Sequence, residues 1–213
     1  MVKLPHKSLE RNLLAQGYTC VIGLDEVGMA CLAGPVVVGA ALFRPEFFAR
    51  RWRRLERLRD SKLLQAHQRE RYARELASHR FIRHAVAVVY PREVDRLNVY
   101  HASLVGMRRA LRRLGLTKED RPFVLVDGRG KVPGIVWPQQ AVIKGDRKIF
   151  AIAAASVLAK AHRDAMMVRY AKRFPAYGLE RHKGYPTALH RQRLEVHGPS
   201  RLHRRSFALL KRI

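Results

Sequence analysis

Cys20-Val21-Ile22-Gly23-Leu24-Asp25-Glu26-Val27-Gly28 is an apolar run that ends in two adjacent carboxylates. It reads as a core strand. An unpaired charge on such a strand is destabilising, so Asp25 and Glu26 need a compensating partner. With 43 Lys+Arg against 17 Asp+Glu, an arginine could serve, but the pattern recurs in a way that ion pairs do not explain. Phe123-Val124-Leu125-Val126-Asp127 is a second apolar run closed by a carboxylate, and Asp164 closes the apolar helical pattern that starts at Ile149. Acidic groups brought together from separate elements repel one another, and a divalent cation is the usual remedy. Taken singly, each has an ordinary alternative: a cap, a turn at Asp127-Gly128, or a solvated face for Asp164 beside Arg163.

Outward from the first run, Pro35 to Phe43 is a second β-rich stretch, joined through Gly28 to Gly34 as a hairpin or short meander. Phe47, Phe48, Trp52, Leu55 and Leu58 share one face of a helical pattern over Pro45 to Leu58, after which Asp60 or Ser61 is placed to cap a helix ending near Ser78. Phe81 to Tyr90 is a strand, Pro91 opens a short helix, and Val99 to Leu114 is a longer helix closed by Gly115. Strands at Pro122 to Asp127 and Trp137 to Ile143 precede a long helix over Ile149 to Phe174. Short helical pieces rich in Arg and His follow. A hairpin and then alternating strands and helices predict an α/β protein with a mixed sheet flanked by helices.

The 213 residues, 47% of them hydrophobic, suffice for one large domain or one domain with a small appendage. The longest apolar stretches, Ala30 to Phe43 and Ile149 to Leu158, are too short to span a bilayer, so no membrane association is expected. Met1 to Gln16 has neither an uninterrupted apolar segment nor a small-residue cleavage site, so a cytoplasmic protein is expected. Cys20 and Cys31 lack a paired metal-ligand spacing and read as buried thiols, so zinc is not expected. The formal charge of +26 implies a polyanionic partner, nucleic acid first.

Gly23-Leu24-Asp25-Glu26-Val27-Gly28 with Leu32-Ala33-Gly34-Pro35-Val36-Val37 resembles the opening motif of the ribonuclease HII family, the prokaryotic type 2 ribonucleases H. Further stretches resemble family motifs in the family's order: Asp60-Ser61-Lys62, Leu97-Asn98 with Ala102-Ser103-Leu104, Val126-Asp127-Gly128, and Lys144-Gly145-Asp146. Ala154 to Lys160 with Arg163-Asp164, His182-Lys183-Gly184-Tyr185-Pro186-Thr187 and His203-Arg204-Arg205-Ser206-Phe207 continue the series. The resemblance runs from about Gly17 to the C-terminus.

What it implies is a ribonuclease H-like fold, with residues 1–174 as the catalytic domain and 175–213 as a small helical C-terminal segment that covers the substrate. It implies an endoribonuclease that cuts the RNA strand of RNA–DNA hybrids, and ribonucleotides embedded in duplex DNA, leaving 3′-hydroxyl and 5′-phosphate ends. Asp25, Glu26, Asp127 and Asp164 are then the catalytic and metal-binding carboxylates. Such hard oxygen donors suit Mg²⁺ or Mn²⁺, two ions roughly 3.5–4 Å apart in the two-metal scheme. Lys62, Lys144 and Ser156 fall in motifs that position phosphates, and Tyr185 matches the tyrosine that packs beside the ribonucleotide at an RNA–DNA junction. The protein is expected to act as a monomer.

The loop after the acidic pair departs from the family. Its usual Gly-Arg-Gly, which holds the ribose 2′-hydroxyl and a neighbouring phosphate, is Gly28-Met29-Ala30 here. Methionine has no charged fork for a phosphate, and a methyl group at position 30 is expected to disturb a backbone that needs glycine. Hybrid cleavage is therefore the firmer expectation and recognition of a single ribonucleotide the weaker one. The alternatives are a non-catalytic basic RNA-binding protein, which gives no reason for the carboxylates, and a same-fold nuclease such as a type 3 ribonuclease H, for whose extra N-terminal domain the chain leaves no room.

Overall fold

A computed structural model describes residues 4–210. Helix α1 (Ser8–Ala15) leads into β1 (Cys20–Val27) and the antiparallel β2 (Val36–Phe43), and a short α2 (Pro45–Phe48) follows. Next come α3 (Ala66–Ala77), β3 (Ile82–Val89), α4 (Pro91–Leu97), α5 (Val99–Arg113) and β4 (Pro122–Asp127). The chain continues through β5 (Gln139–Val142), α6 (Gly145–Lys148), the long α7 (Phe150–Arg173), α8 (Leu179–His182) and α9 (Ala188–His197). The five strands lie in the order β3-β2-β1-β4-β5. The β2 pairings with β1 and β3 are antiparallel, and β4 runs parallel to both β1 and β5. This is the mixed α/β architecture expected from the hydrophobic pattern.

Alternation along the strands divides the core. Val21, Ala41, Phe43 and Leu125 pack with α3 and α7 on one face, and Ile22, Leu24, Val38, Leu42, Val124 and Val126 pack with α5 on the other. Helix α7 lies unusually close to its face because two strand glycines admit it. A Cβ on Gly23 would stand 2.1 Å from the Ala151 carbonyl carbon, and one on Gly39 would stand 2.2 Å from Ala155 O. A separate cluster joins Leu32, Met167, Tyr177, Leu179, Leu194 and Leu202, tying α8 and α9 to α7 and to the loop after β1. Among the described residues no helix is long and apolar enough to cross a membrane.

The structure departs from the sequence expectations in three places. No element is expected before Cys20, yet α1 is helical and its fully buried Glu10 accepts a hydrogen bond from Ala151 N at 2.9 Å, satisfying a first-turn amide of α7. The helix expected over Pro45 to Leu58 stops at Phe48. Trp52 Nε1 donates to Phe47 O at 2.8 Å, occupying the carbonyl a continuing helix would use, and stacks on the Phe47 ring at 6.0 Å. Asp60 caps only a 3₁₀ turn, Ser61–Leu63, while α3 carries its own capping box of Gln65 and Gln68.

Candidate active site

The carboxylates collect where the parallel strands end. Leu24 on β1 is in register with Val126 on β4, so Asp25 and Asp127 follow side by side at the C-terminal ends of adjacent strands. Asp25 also faces Gly39 across the antiparallel pair, on the α7 side. Lys144 then takes a left-handed backbone, φ 56° and ψ 43°, which turns the chain sharply into α6. That turn aims Gly145 N at Asp127 Oδ1, 2.7 Å away, and brings in Asp146. Gly145 has little room for a side chain, since a Cβ there would meet Ile152 Cδ1 at 2.5 Å. Asp25, Asp127 and Asp146 each present a carboxylate oxygen, and these atoms lie within 4.8 Å of one another.

Electrostatics mark the cluster as a place short of positive charge. Burial pushes the Asp25 carboxyl well above the usual carboxylate range, and the Glu26 and Asp127 charges push it further, while the Ser156 hydroxyl opposes the rise. Glu26 is pushed up to about 7 by burial and then by Asp127, with Ser103 of α5 opposing. Asp146 is raised too, by burial, Asp127 and Asp60. Lys62 is the nearest cation, with Nζ 3.8 Å from Asp146 Oδ2. Burial draws its ammonium down, but Asp146, Asp25, Asp60 and Asp127 outweigh that and the net movement is upward. One exposed lysine does not neutralise the three clustered carboxylates and Glu26, which lies outside the trio. The donor set consists of hard oxygens without a thiol or imidazole, and it fits a divalent cation such as Mg²⁺ or Mn²⁺.

Asp164 lies elsewhere. It is eight residues past Ser156, about 12 Å along the helix axis. Its carboxylate is taken by Lys160 Nζ at 2.6 Å and Arg69 Nη2 at 3.2 Å, so it is absent from the clustered trio. Asp146 stands where the sequence pattern placed Asp164. Its signal was present in the Lys144-Gly145-Asp146 motif.

Ser156 also differs from expectation. It is 1% exposed and shares a 2.9 Å hydrogen bond with Ser61 Oγ, so its hydroxyl faces the interior beside Asp25 and not the open groove. Lys62 and Lys144 are exposed at the rim, and Tyr185 is half-buried with Lys160 Nζ 5.6 Å from its ring centre.

In the variant loop, Gly28 carries the left-handed backbone at φ +97°, and a Cβ there would meet Arg163 Nε at 2.4 Å. Neither Met29 nor Ala30 has a positive φ. The methyl of Ala30 is therefore accommodated without strain, contrary to expectation. Two arginines unforeseen in the sequence hold the loop from beneath. Arg163, wholly buried, donates to Pro35 O (3.0 Å), Ala33 O (3.1 Å) and Lys183 O (2.8 Å). Arg204, equally buried, donates to Gly34 O and Met29 O, each at 3.0 Å.

Comparison with known proteins gives the family. The family model described as Ribonuclease HII matches residues 22–210. The chain belongs to the ribonuclease HII family. It is 44% identical over 189 residues to Ribonuclease HII of Chlorobium phaeobacteroides, covering 89% of this chain and 90% of the relative. It is 41% identical over 210 residues to Ribonuclease HII of Maricaulis maris, covering 97% and 91%. The fold is similar to the ribonuclease H2 of Pyrococcus horikoshii, with TM-score 0.73 and 23% identity over 91% of this chain and 96% of that one. It is also similar to Bst-RNase HIII in complex with Mn²⁺, with TM-score 0.67 and 20% identity over 92% and 69%. As a ribonuclease HII, the chain is a metal-dependent endoribonuclease with ribonuclease H activity.

Proposed function

We propose that the chain hydrolyses the RNA strand of RNA–DNA hybrids and cuts duplex DNA at embedded ribonucleotides, with Asp25, Glu26, Asp127 and Asp146 as its metal-holding carboxylates. The observation that carries this is the convergence of three carboxylate oxygens within 4.8 Å at the ends of β1 and β4, in a protein of net charge +26. Two Mg²⁺ or Mn²⁺ ions bound there would supply Lewis acidity for in-line attack of water at phosphorus, giving 3′-hydroxyl and 5′-phosphate ends. The chain's own residues do the rest. The Ser156 and Ser103 hydroxyls favour the ionised forms of Asp25 and Glu26, and the Gly145 amide holds one oxygen of Asp127. Lys62 and Lys144 stand at the rim as point charges for phosphate. Tyr185 offers its ring to the sugar at the junction, and the described part of the C-terminal segment, residues 175–210, covers it.

The test is cleavage of duplexes carrying none, one, four or many ribonucleotides, with Mg²⁺ and Mn²⁺ compared. Cutting only where ribonucleotides are present, with 5′-phosphate products, is expected. Equal cutting of an all-DNA duplex, or no metal-dependent cutting, overturns the reading.

A further inference from the structure

Helix α7 carries Ser156 beside Asp25, and Lys160, Asp164 and Val168 follow at four-residue intervals along one stripe. Twelve residues of helix extend about 18 Å. This stripe and α3 form the two walls of a groove of about 810 Å³ that opens one turn beyond the catalytic cluster. Arg69 and Arg74 line the α3 wall, Lys160 and Arg169 the α7 wall, and Arg181 and Lys183 the end adjoining Tyr185. Only two carboxylates, Glu70 and Asp164, share the lining.

Asp164 is already neutralised by Arg69 and Lys160, which it fixes against the wall. Arg74, Arg169, Arg181 and Lys183 have no ion-pair partner among the described residues, and the three arginines are exposed. A concave surface lined by one sign of charge focuses the field and concentrates anions. A single small anion would use one or two of these cations. The cations on the α7 wall, from Lys160 to Arg169, extend about 13.5 Å, and at about 3.4 Å per base pair this suits a nucleic-acid backbone over roughly four steps.

We infer that the α3–α7 groove is a second subsite for nucleic acid, which takes the phosphodiester backbone of the substrate duplex beyond the scissile position. The inference rests on the hydrolytic reading above for the orientation of that duplex. It also gives Asp164 a role, as the anchor that holds Arg69 and Lys160 in the wall behind the exposed arginines.

The experiment compares two double charge reversals of equal size. Arg74→Glu with Arg169→Glu alters the groove. Arg112→Glu with Lys118→Glu alters exposed cations at and just beyond the end of α5, on the opposite face of the sheet. Each protein is titrated without metal against a ribonucleotide-containing duplex with about four base pairs on either side of the ribonucleotide, and against one with about twelve. The groove variant is expected to bind the long duplex at least about tenfold more weakly, to lose most of the wild-type preference for long over short, and to show a log–log salt slope shallower by about two.

The α5 variant is expected to keep that preference. Equal losses in both variants, or an undiminished preference for the long duplex in the groove variant, overturn the subsite. Circular dichroism of both variants separates misfolding from lost contacts, and Lys160→Gln provides a second, uncharged probe of the same wall. Hydrolysis by the wild-type protein is scored separately, so that failure of the catalytic reading is not mistaken for failure of the groove.

Discussion

Asp127 Oδ1 accepts the Gly145 amide at 2.7 Å, and this one hydrogen bond couples the end of β4 to the turn that delivers Asp146. Asp146, the proposed fourth carboxylate, is therefore positioned by a strand-to-turn contact and not by the long helix. Asp146→Asn is expected to lower kcat by roughly 10²–10³ while leaving duplex binding intact, in line with Asp25→Asn and Asp127→Asn. Asp164→Asn is expected to stay within a few-fold in kcat on a short duplex and to cost about 1–3 kcal/mol of stability through its orphaned cations. Steady-state kinetics with urea unfolding checks both, and the reverse ranking of the two asparagine variants would return Asp164 to the catalytic set.

The carboxylate cluster makes metal binding and pH interdependent. Glu26 sits at about 7 against an ordinary 4.5, and Asp25 and Asp146 are raised as well. Groups raised on folding stabilise the fold while protonated, so their contribution is complete below the unfolded value and is lost as pH rises through the folded one. For Glu26 that window runs from 4.5 to about 7. Metal-free protein should lose part of its thermal stability across it, and Mg²⁺ or Mn²⁺ should restore more above the window than below it. Differential scanning fluorimetry with EDTA or metal measures this, and a metal-induced shift in Tm independent of pH would contradict it.

The C-terminal segment should respond to pH in the opposite sense. Ser200 N donates to His203 Nδ1 at 3.0 Å, so the His203 proton is on Nε2, 3.1 Å from His190 Nε2. His190 Nδ1 in turn donates to Tyr185 O at 3.0 Å. The relay requires neutral imidazoles, and burial draws both down to about 4 from 6.5. Stability they support is complete above 6.5 and is lost as pH falls toward 4. His203→Leu should cost about 2 kcal/mol at neutral pH, yet flatten the acid-side decline by nearly one proton. Urea unfolding across that range reports the slope, and an unchanged slope would show that His203 does not titrate on unfolding.

What the sequence made legible follows from how local each feature is. Strands β1 and β4 and their terminal carboxylates were readable because an apolar run ending in Asp is a one-dimensional pattern. The end of α2 was not, because Trp52 folds back five residues onto the Phe47 carbonyl, a side-chain bond that the apolar helical pattern does not reveal. Asp164 was expected in the cluster but lies apart from it. It lies in a recognisable motif, but how many turns separate it from the cluster depends on where α7 meets the sheet, which Gly23 and Gly39 decide. The buried arginines Arg163 and Arg204 were invisible as such, since nothing local distinguishes them from the many on the surface.

Those glycines yield a stability prediction. A Cβ at position 39 meets backbone, Ala155 O at 2.2 Å, and backbone cannot swing aside. Gly39→Ala should cost about 3 kcal/mol or more by pushing α7, and with it Ser156, off the sheet. Gly115→Ala is the comparison, because nothing lies within 4 Å there and only its positive φ of 61° resists, for an expected cost of about 1 kcal/mol. Equal losses in urea unfolding would mean that α7 does not depend on close approach at Gly39.

The variant loop offers the test of junction recognition. Its backbone is preset by Gly28 at φ +97° and by Arg163 and Arg204 donating to its carbonyls, whichever side chains Met29 and Ala30 carry. Ala30 needs no left-handed geometry, so Ala30→Gly should change little beyond a loss of about 0.5–1 kcal/mol in stability from added chain freedom. Met29 is partly exposed and lacks a charged donor, so the natural protein should favour a run of ribonucleotides, where hybrid shape and neighbouring 2′-hydroxyls add contacts, over a single one. Met29→Arg alone should then shift the kcat/KM ratio toward the single ribonucleotide by about 1–3 kcal/mol, the worth of one charge-assisted hydrogen bond. Measuring that ratio for the natural protein, each single variant and the double variant separates side chain from backbone. A strong natural preference for the single ribonucleotide that Met29→Arg leaves unchanged would show that the preset loop backbone, without an arginine fork, reads the junction.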